Sequence, residues 1–263
     1  MEYQTILVNR EGPLLEIVLN RSEVLNAINA TMDEELYSAL WNARLDRGVR
    51  VVVIRGSGRA FTAGQDVRDF AEAYSSGKSP DFKLGLQRRK RVFTLIREIP
   101  KPVIAGINGV VAGIGLALAL VCDIRVAAKS AKFIPAFARI GLVPDGGLVY
   151  LLSKYMPVGR LFDFYAMNRE ISAEEAYRMG LVEYLVDDAA FLDELKKIAL
   201  KYAEGPTYAF GLTKQIVNMT VFADYERAFD IEMELQEKAA SSQDHKEGVK
   251  AFVEKRQPVF RGE

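Results

Sequence analysis

A nearly continuous apolar stretch, residues 103–121 (VIAGINGVVAGIGLALALV), limits the possible folds more than any other part of this chain. It is almost long enough to cross a membrane, which takes ~20 apolar residues in a helix. Glycines at positions 106, 109, 113 and 115 interrupt it, however, and charged residues lie at both ends. We therefore interpret it as a buried strand at 103–107, a turn at Asn108-Gly109 and a buried helix from about Gly113. No membrane association is expected.

Strand and helix patterns alternate along the first two thirds of the chain. Short apolar runs at 6–8 and 14–19 predict a hairpin, and 50–54 (RVVVI) predicts a buried strand. A strand, a turn and a glycine-containing helix follow one another at 50–75 and again at 102–122. This repetition predicts an α/β fold built from ββα units, and helical spacing dominates beyond residue 160. Four helices are predicted near the C-terminus, at 188–204, 206–219, 223–241 and 244–254.

The composition excludes several classes of partner and site. The 263 residues include 35 Lys+Arg, 35 Asp+Glu, one His and one Cys. Zero net charge argues against nucleic acid or an anionic membrane as the main partner, because those surfaces attract basic proteins. One cysteine cannot form an internal disulfide, and one His with one Cys makes a zinc site implausible, so no metal is expected. The N-terminal segment lacks the pattern of a secretory signal, which favours a cytoplasmic location.

Five segments, in their order and spacing, resemble those of the crotonase superfamily, also called the enoyl-CoA hydratase/isomerase family. They are residues 21–29 (RSEVLNAIN), 61–66 (FTAGQD), 101–123 (KPVIAGINGVVAGIGLALALVCD), 133–147 (FIPAFARIGLVPDGG) and 248–256 (GVKAFVEKR). The sequence FARIGLVPDGG is especially similar to the ring-1,2-epoxyphenylacetyl-CoA isomerases and enoyl-CoA isomerases of that family.

This resemblance implies an architecture and a class of substrate. It implies a ββα superhelical spiral core, assigned to residues 1–199, and a C-terminal helical trimerisation region at 200–263. A homotrimer or a hexamer made of two trimers is implied, together with an acyl-CoA thioester as substrate. No separate cofactor is expected, because CoA enters as part of the substrate.

Two glycine-containing loops are expected to form an oxyanion hole. Negative charge that develops on a thioester oxygen needs preorganised N–H donors in a site with little water. The resemblance assigns one donor to the backbone N–H of Gln65, in FTAGQD, and the other to that of Ile114, in VAGIG. The second loop opens a predicted helix, whose N-terminal N–H groups and dipole favour negative charge. Gly64 and Gly113 carry no side chain that would block the thioester.

The resemblance also assigns substrate or CoA contacts to residues around these loops and near the C-terminus. They are Val24, Asn26, Ala27, Ala63, Gly64, Asp66, Val67, Gly113, Phe137, Phe252 and Lys255. Some of these residues have a structural interpretation as well. Residues 21–29 also suit a strand-to-helix connection with a cap, Asp66 suits the cap of the next helix, and Lys255 suits a solvated surface.

The catalytic carboxylate decides which reaction is expected. Hydratases of this family use two glutamates, which fall at Ala117 and Phe137 when the pattern is matched through Cys122-Asp123. Neither residue can act as an acid or a base. Asp145 remains, and the resemblance to the isomerases assigns it as the single base of a 1,3-proton shift. It also suits a helix cap before LVYLL, where the helix dipole would lower its pKa, whereas an apolar pocket would raise it.

The leading hypothesis is therefore an enoyl-CoA isomerase with Asp145 as its acid/base. The alternatives are an enoyl-CoA hydratase of fatty-acid β-oxidation, in which Asp145 alone places the water, and a CoA-thioester-binding or RNA-binding homologue without catalysis. The basic run at 88–91 (RRKR) suits a solvated helix face or a site for CoA phosphates better than RNA. His245, between Asp244 and Lys246, is expected to lie in solvent.

Overall fold

Two β-sheets form the framework of the chain in the computed structural model, which describes residues 3–263. Within those residues the strands are β1 (Ile6–Glu11), β2 (Leu14–Leu19), β3 (Val51–Gly56), β4 (Ala60–Thr62), β5 (Val103–Ile107), β6 (Val110–Ala112), β7 (Ile124–Ala128), β8 (Lys132–Ile134), β9 (Ile171–Ser172) and β10 (Tyr184–Val186). The larger sheet has the strand order β1-β2-β3-β5-β7-β10, and the smaller sheet has the order β4-β6-β8-β9. The predicted hairpin is confirmed, because β1 and β2 pair antiparallel.

Helices follow or connect these strands. They are α1 (Ala30–Leu45), α2 (Val67–Ser75), α3 (Phe82–Glu98), α4 (Ile114–Val121), α5 (Leu148–Leu152), α6 (Val158–Ala166), α7 (Ala173–Arg178), α8 (Phe191–Glu204), α9 (Thr207–Thr220), α10 (Tyr225–Ala240) and α11 (Gln243–Val253). Short 3-10 helices occur at Ser22–Val24, Phe137–Ile140 and Asp188–Ala190. The four helices predicted near the C-terminus correspond to α8, α9, α10 and α11, with ends shifted by at most a few residues.

From β3 to β8, consecutive strands alternate between the two sheets, and this alternation produces the spiral. β3, β5 and β7 are parallel neighbours in the larger sheet. β4, β6 and β8, each of which directly follows one of them in the chain, are parallel neighbours in the smaller sheet. Helices α2 and α4 follow the first two pairs of strands. The predicted α/β spiral is confirmed, and the β7-β8 pair adds a third copy to the two that the sequence indicates.

The apolar stretch at 103–121 is divided as expected. It forms β5, a turn, β6 and α4, and every residue of β5 and α4 is buried. No helix within residues 3–263 is long and apolar enough to cross a membrane. The unbroken apolar character of α4 therefore comes from its position inside the core, where protein surrounds the helix on all sides.

The last helices pack on the spiral core. α10 contacts α3 and α5, while α11 contacts α2 and the 3-10 helix at Phe137–Ile140. These contacts bring side chains of α10 and α11 next to α2, α3, α5 and the 3-10 helix at Phe137–Ile140. The division proposed between residues 199 and 200 stays a prediction, and α8 runs across that position.

Asn26 connects the segment 21–29 to the turn between β3 and β4. Its side chain is completely buried. Nδ2 donates to the carbonyls of Ser57 and Ala60, both at 2.9 Å, and Oδ1 accepts the backbone N–H of Arg21 at 3.0 Å. The residue therefore has a structural role, because its amide satisfies backbone groups of two separate segments.

Replacing Asn26 with alanine is expected to lower the free energy of unfolding by about 2–4 kcal/mol, because buried backbone groups lose their partners. Urea unfolding followed by circular dichroism measures the change. Asn9→Ala is the matched control, since the Asn9 side chain is exposed and bonds only Glu16 at 3.2 Å. The control is expected to change stability by less than about 0.5 kcal/mol. Equal effects of the two substitutions would contradict the role assigned to Asn26.

Candidate active site

A cavity of about 750 Å³ is lined by residues from all five segments that carry the family resemblance. Side chains of α2 and α3, among them Phe70, Phe82 and Leu86, complete an apolar part of its wall. A separate hollow of about 580 Å³ beside α11 is lined mainly by charged side chains and contains none of the predicted site residues. No cluster of His, Cys, Asp or Glu in the described part of the chain is able to hold a metal ion.

Residues 62–66 form the first loop of the cavity, and pairing with Ile28 fixes its backbone. The N–H of Ile28 donates to the carbonyl of Gly64 at 2.7 Å, and the N–H of Asp66 donates to the carbonyl of Ile28 at 3.0 Å. In such a parallel bridge the N–H of the residue between the two bonds points away from the partner. The Gln65 N–H accordingly donates no hydrogen bond to another residue between 3 and 263.

The second loop lies at the N-terminus of α4. Gly113 has φ +53° and ψ −129°, a conformation that residues with a side chain rarely adopt. Its N–H donates to the carbonyl of Ile134 at 3.0 Å, which fixes the loop on β8. The N–H of Ile114 belongs to the first turn, whose N–H groups have no partner within a helix. No other described residue accepts it.

The two loops are in contact with each other. A Cβ added to Gly64 would lie 2.7 Å from the carbonyl oxygen of Ala112 and 3.5 Å from the Cα of Gly113, so only glycine fits there. Gln65 and Ile114 both line the cavity. Two backbone N–H groups without acceptors, on touching loops of one cavity, can stabilise a carbonyl oxygen on which negative charge develops.

Asp145 lies on the wall of the same cavity and is 6% exposed. Its Oδ2 accepts a hydrogen bond from Gln236 Nε2 at 2.9 Å, whereas its Oδ1 is buried without a hydrogen-bond partner among the described residues. Gln236 is itself fixed, because its Oε1 accepts the N–H of Val143 at 3.0 Å. Burial raises the pKa of Asp145 to about 6, although the charge of Arg89 and the bond from Gln236 oppose this shift. A carboxylate with one free oxygen and a pKa near neutrality is suited to take up and return a proton.

Glu232 of α10, and not Asp145, caps helix α5. Its carboxylate accepts the N–H groups of Gly147 at 2.6 Å, Leu148 at 3.1 Å and Val149 at 2.9 Å. Burial raises the pKa of Glu232 to about 8, yet both oxygens accept backbone N–H groups, which is the bonding pattern of the ionised form. The interpretation of Asp145 as a helix cap is therefore wrong, because its side chain accepts no N–H group of α5.

A buried ion pair lies on the same wall. Arg89 of α3 is 5% exposed and Asp33 of α1 is 3% exposed. The pair is joined by Nη2 and Oδ2 at 3.1 Å and by Nε and Oδ1 at 3.4 Å. Arg89 Nη2 also donates to the side-chain Oε1 of Gln65 at 2.6 Å. The guanidinium thus connects the first loop to α1 and α3, and its charge acts on Asp145.

Most of the predicted site residues line the cavity. They are Val24, Ala27, Ala63, Gln65, Asp66, Val67, Gly113, Ile114, Phe137, Asp145 and Phe252. Three other predicted residues do not line it. Asn26 bonds the β3–β4 turn, Gly64 packs against Ala112, and Lys255 is exposed after α11, so their contacts with a ligand stay predictions. Asp66 caps α2 as predicted, because its side chain accepts the N–H of Arg68.

Two charged positions differ from the sequence-based expectation. His245 was expected in solvent but is completely buried, because α11 packs on the 3-10 helix and the Nδ1 of His245 lies 2.6 Å from the carbonyl oxygen of Ile140. The basic run at 88–91 is only partly a solvated face. Arg89 points inward, because it lies three residues after Leu86 and four before Phe93, on the buried side of α3.

The sequence did not indicate Asp33, Glu232 or Gln236 as site residues, and it indicated Arg89 only within a basic run suited to a solvated face or to CoA phosphates. A signal was present for the two residues of α10. Its buried positions are Tyr225, Phe229, Glu232, Gln236 and Ala240, which follow helical spacing. Polar side chains at two core-facing positions of an amphipathic helix need buried partners, and those partners proved to be the α5 N-terminus and Asp145.

Comparison with known proteins points to the same family as the sequence resemblance. A model of the family described as enoyl-CoA hydratase/isomerase matches residues 9–263. The 1,2-epoxyphenylacetyl-CoA isomerase of Escherichia coli K12 is 36% identical over 98% of this chain and 98% of its own length. The crotonyl-CoA hydratase of Syntrophomonas wolfei is 34% identical over 99% of both chains. The crystal structure of an enoyl-CoA hydratase from Mycobacterium avium subsp. paratuberculosis superposes with a TM-score of 0.89 at 28% identity, over 99% of this chain and 100% of the other.

Replacing Asp145 with asparagine is expected to stabilise the protein above pH 6. The pKa rises from 3.8 to about 6 on folding, so the ionised carboxylate opposes folding above pH 6, and this penalty disappears below pH 3.8. The shift corresponds to at most about 3 kcal/mol. Denaturant unfolding of both proteins at pH 8 and pH 4 measures the difference, which should be large at pH 8 and close to zero at pH 4.

Asp163→Asn serves as the control for this measurement. Asp163 is exposed and has no ion pair within the described residues, so its replacement is expected to change stability by less than about 0.5 kcal/mol at either pH. A destabilised Asp145→Asn variant at pH 8 would argue against a desolvated, weakly compensated carboxylate.

Proposed function

Because the chain belongs to the enoyl-CoA hydratase/isomerase family, we propose that it is an isomerase that moves the double bond of an enoyl-CoA thioester from the 3- to the 2-position, or rearranges a ring-derived CoA thioester. One observation carries this choice. Asp145 is the one carboxylate among the described residues that has a buried oxygen without a hydrogen-bond partner, and the residue lines the cavity that Gln65 and Ile114 also line.

In the proposed reaction the thioester oxygen accepts the backbone N–H groups of Gln65 and Ile114. The Asp145 carboxylate removes a proton from C2 of the 3-enoyl group, and the electron pair moves into a dienolate whose charge rests on the thioester oxygen. The carboxyl group then returns that proton to C4, and the double bond comes to lie between C2 and C3. One base is sufficient because it returns the proton that it removed, and no cofactor beyond the CoA of the substrate takes part.

The two glutamate positions of hydratases support an isomerase. Ala117 is fully buried in α4, and Phe137 places an aromatic ring on the cavity wall. A water molecule at this position would have no carboxylate to orient it apart from Asp145, and the apolar ring disfavours water. Addition of water to a 2-enoyl-CoA is therefore expected to be slower than isomerisation.

We also propose that the chain assembles as a trimer or as a pair of trimers. Helix α9 leaves a row of apolar side chains uncovered along one face. They are Tyr208, Leu212, Ile216 and Met219, which are 82%, 43%, 61% and 78% exposed. A continuous apolar row of this kind is typical of a surface that another protein covers.

Purified protein is expected to convert 3-hexenoyl-CoA into 2-hexenoyl-CoA, with products identified by liquid chromatography and mass spectrometry. Asp145→Asn should lower kcat/KM by about 10²–10⁴-fold, because it removes the acid/base group. In the active enzyme kcat/KM should rise as the pH is raised through about 6, where the carboxyl group loses its proton. Asp163→Asn is the control and should retain full activity.

Two results would contradict this proposal. Formation of 3-hydroxyhexanoyl-CoA from 2-hexenoyl-CoA at a higher kcat/KM than isomerisation would identify the enzyme as a hydratase. Full activity in Asp145→Asn would remove Asp145 from the reaction, whichever product forms.

Multi-angle light scattering tests the proposed assembly. The expected mass is three or six times the 29.3 kDa of one chain. Replacing Ile216 and Met219 with glutamate should lower this mass, because charged side chains cannot be buried without partners. A monomeric wild-type protein would contradict the proposal.

A further inference from the structure

We propose that Arg89 binds an oxygen atom of the acyl group, so that the cavity selects oxygen-bearing acyl-CoA thioesters over the same thioesters without that oxygen. This inference rests on the proposed function, because it takes the ligand to be an acyl-CoA thioester. It goes further by assigning a specificity-determining residue and the chemistry of the group that the residue recognises.

The guanidinium of Arg89 has one nitrogen without a hydrogen-bond acceptor. Nε and Nη2 of Arg89 donate to Asp33, and Nη2 also donates to Gln65. The remaining nitrogen, Nη1, has two N–H groups and no acceptor within residues 3–263. Although Nη1 has no acceptor, it is not completely buried. Since Arg89 is 5% exposed and lines the cavity, Nη1 has access to the cavity space.

Asp33 and Gln65 accept the hydrogen bonds of Nε and Nη2, whereas Asp69 and Asp145 act on Arg89 through their charge without a hydrogen bond. The apolar part of the wall is formed by Phe70, Phe82, Leu86 and Phe137. A purely hydrocarbon acyl group in this space would displace water from Nη1 and leave its charged N–H groups without partners, which is unfavourable. An acyl group with a hydroxyl, epoxide or carbonyl oxygen at this position would restore the lost hydrogen bond.

The guanidinium is held in a fixed position before any ligand binds. Asp33 and Gln65 bind two of its nitrogens from different elements, α1 and the first loop. Buried ion pairs contribute little net stability compared with apolar residues of similar volume, so stability alone gives little reason for one on a cavity wall. A preorganised donor, in contrast, loses little entropy when it binds an acceptor, and this favours recognition.

The position of Arg89 relative to the reacting groups indicates which part of the ligand it meets. Its Nη2 bonds the side chain of Gln65, whose backbone N–H is the proposed oxyanion donor. Its charge acts on Asp145, with which it forms no direct ion pair in the described part of the chain. Arg89 therefore meets the acyl group close to the thioester and not the nucleotide end of CoA.

The affinities of chemically stable ligands test this inference. Isothermal titration calorimetry compares phenylacetyl-CoA with its 2-, 3- and 4-hydroxy derivatives, and hexanoyl-CoA with 5-oxohexanoyl-CoA. At least one oxygen-bearing ligand is expected to bind the wild-type protein about tenfold or more tightly than its parent, as a hydrogen bond to a charged donor predicts. Arg89→Lys should reduce that preference to below about threefold, because lysine keeps the charge beside Asp33 but lacks the outer nitrogen of the planar fork.

Further variants separate recognition from folding. The double variant Asp33→Asn/Arg89→Gln removes both charges together, so that neither is left buried without its partner, and it should also lose the preference. Arg91→Gln is the matched control, because Arg91 lies on the same helix, is exposed and does not line the cavity. It should retain the affinities of the wild-type protein. Circular dichroism and the affinity for the parent ligands verify that each variant is folded.

The possible results are distinguishable. Equal affinities within every ligand pair in the wild-type protein would overturn the inference and indicate that Arg89 retains water. A preference that persists in both Arg89 variants would overturn it as well. Failure of all CoA thioesters to bind the wild-type protein would contradict the proposed function itself, and this inference with it.

Discussion

Two backbone N–H groups that lack an acceptor within the chain, those of Gln65 and Ile114, are the constraint on which the rest of the site depends. Proteins pair nearly all their backbone polar groups, so two free N–H groups facing one cavity require neighbours that hold the backbone in place. Ile28 provides this on one side by bonding the residues before and after Gln65. Gly113 holds the backbone before Ile114, because it adopts a conformation that favours glycine and donates its N–H to the carbonyl of Ile134. The two ββα units therefore serve as supports for two peptide groups.

Asp145, which lines the same cavity as these N–H groups, is subject to two opposing effects of burial. Burial that raises the pKa of Asp145 to about 6 makes it an effective proton acceptor near neutral pH, but the same burial opposes folding. Gln236 limits this cost through a single bond to Oδ2 and leaves Oδ1 free. Glu232 takes over the N-terminus of α5, which frees Asp145 from a capping role. Helix α10 thus contributes one polar side chain that bonds Asp145 and another that caps the N-terminus of α5.

The sequence predicted the backbone of the site well and its side-chain network poorly. Glycine positions and strand patterns located both loops, because local conformation and short-range turns determine them. The surroundings of Asp145 could not be predicted in the same way, since Gln236, which bonds it, and Arg89, whose charge acts on it, belong to distant helices. Local pattern also misplaced His245, whose charged neighbours indicated solvent although α11 folds back on the core. The inward orientation of Arg89 was missed for a similar reason, because its basic neighbours at 88–91 suggested a solvated face.

The most direct test of this account is a crystal structure of the Asp145→Asn protein with bound 3-hexenoyl-CoA. The account predicts that the thioester oxygen lies within about 3 Å of the backbone nitrogens of both Gln65 and Ile114. It also predicts that C2 lies within about 3.5 Å of the side chain at position 145. A thioester oxygen bonded to other groups, or an acyl group outside the cavity of about 750 Å³, would contradict it.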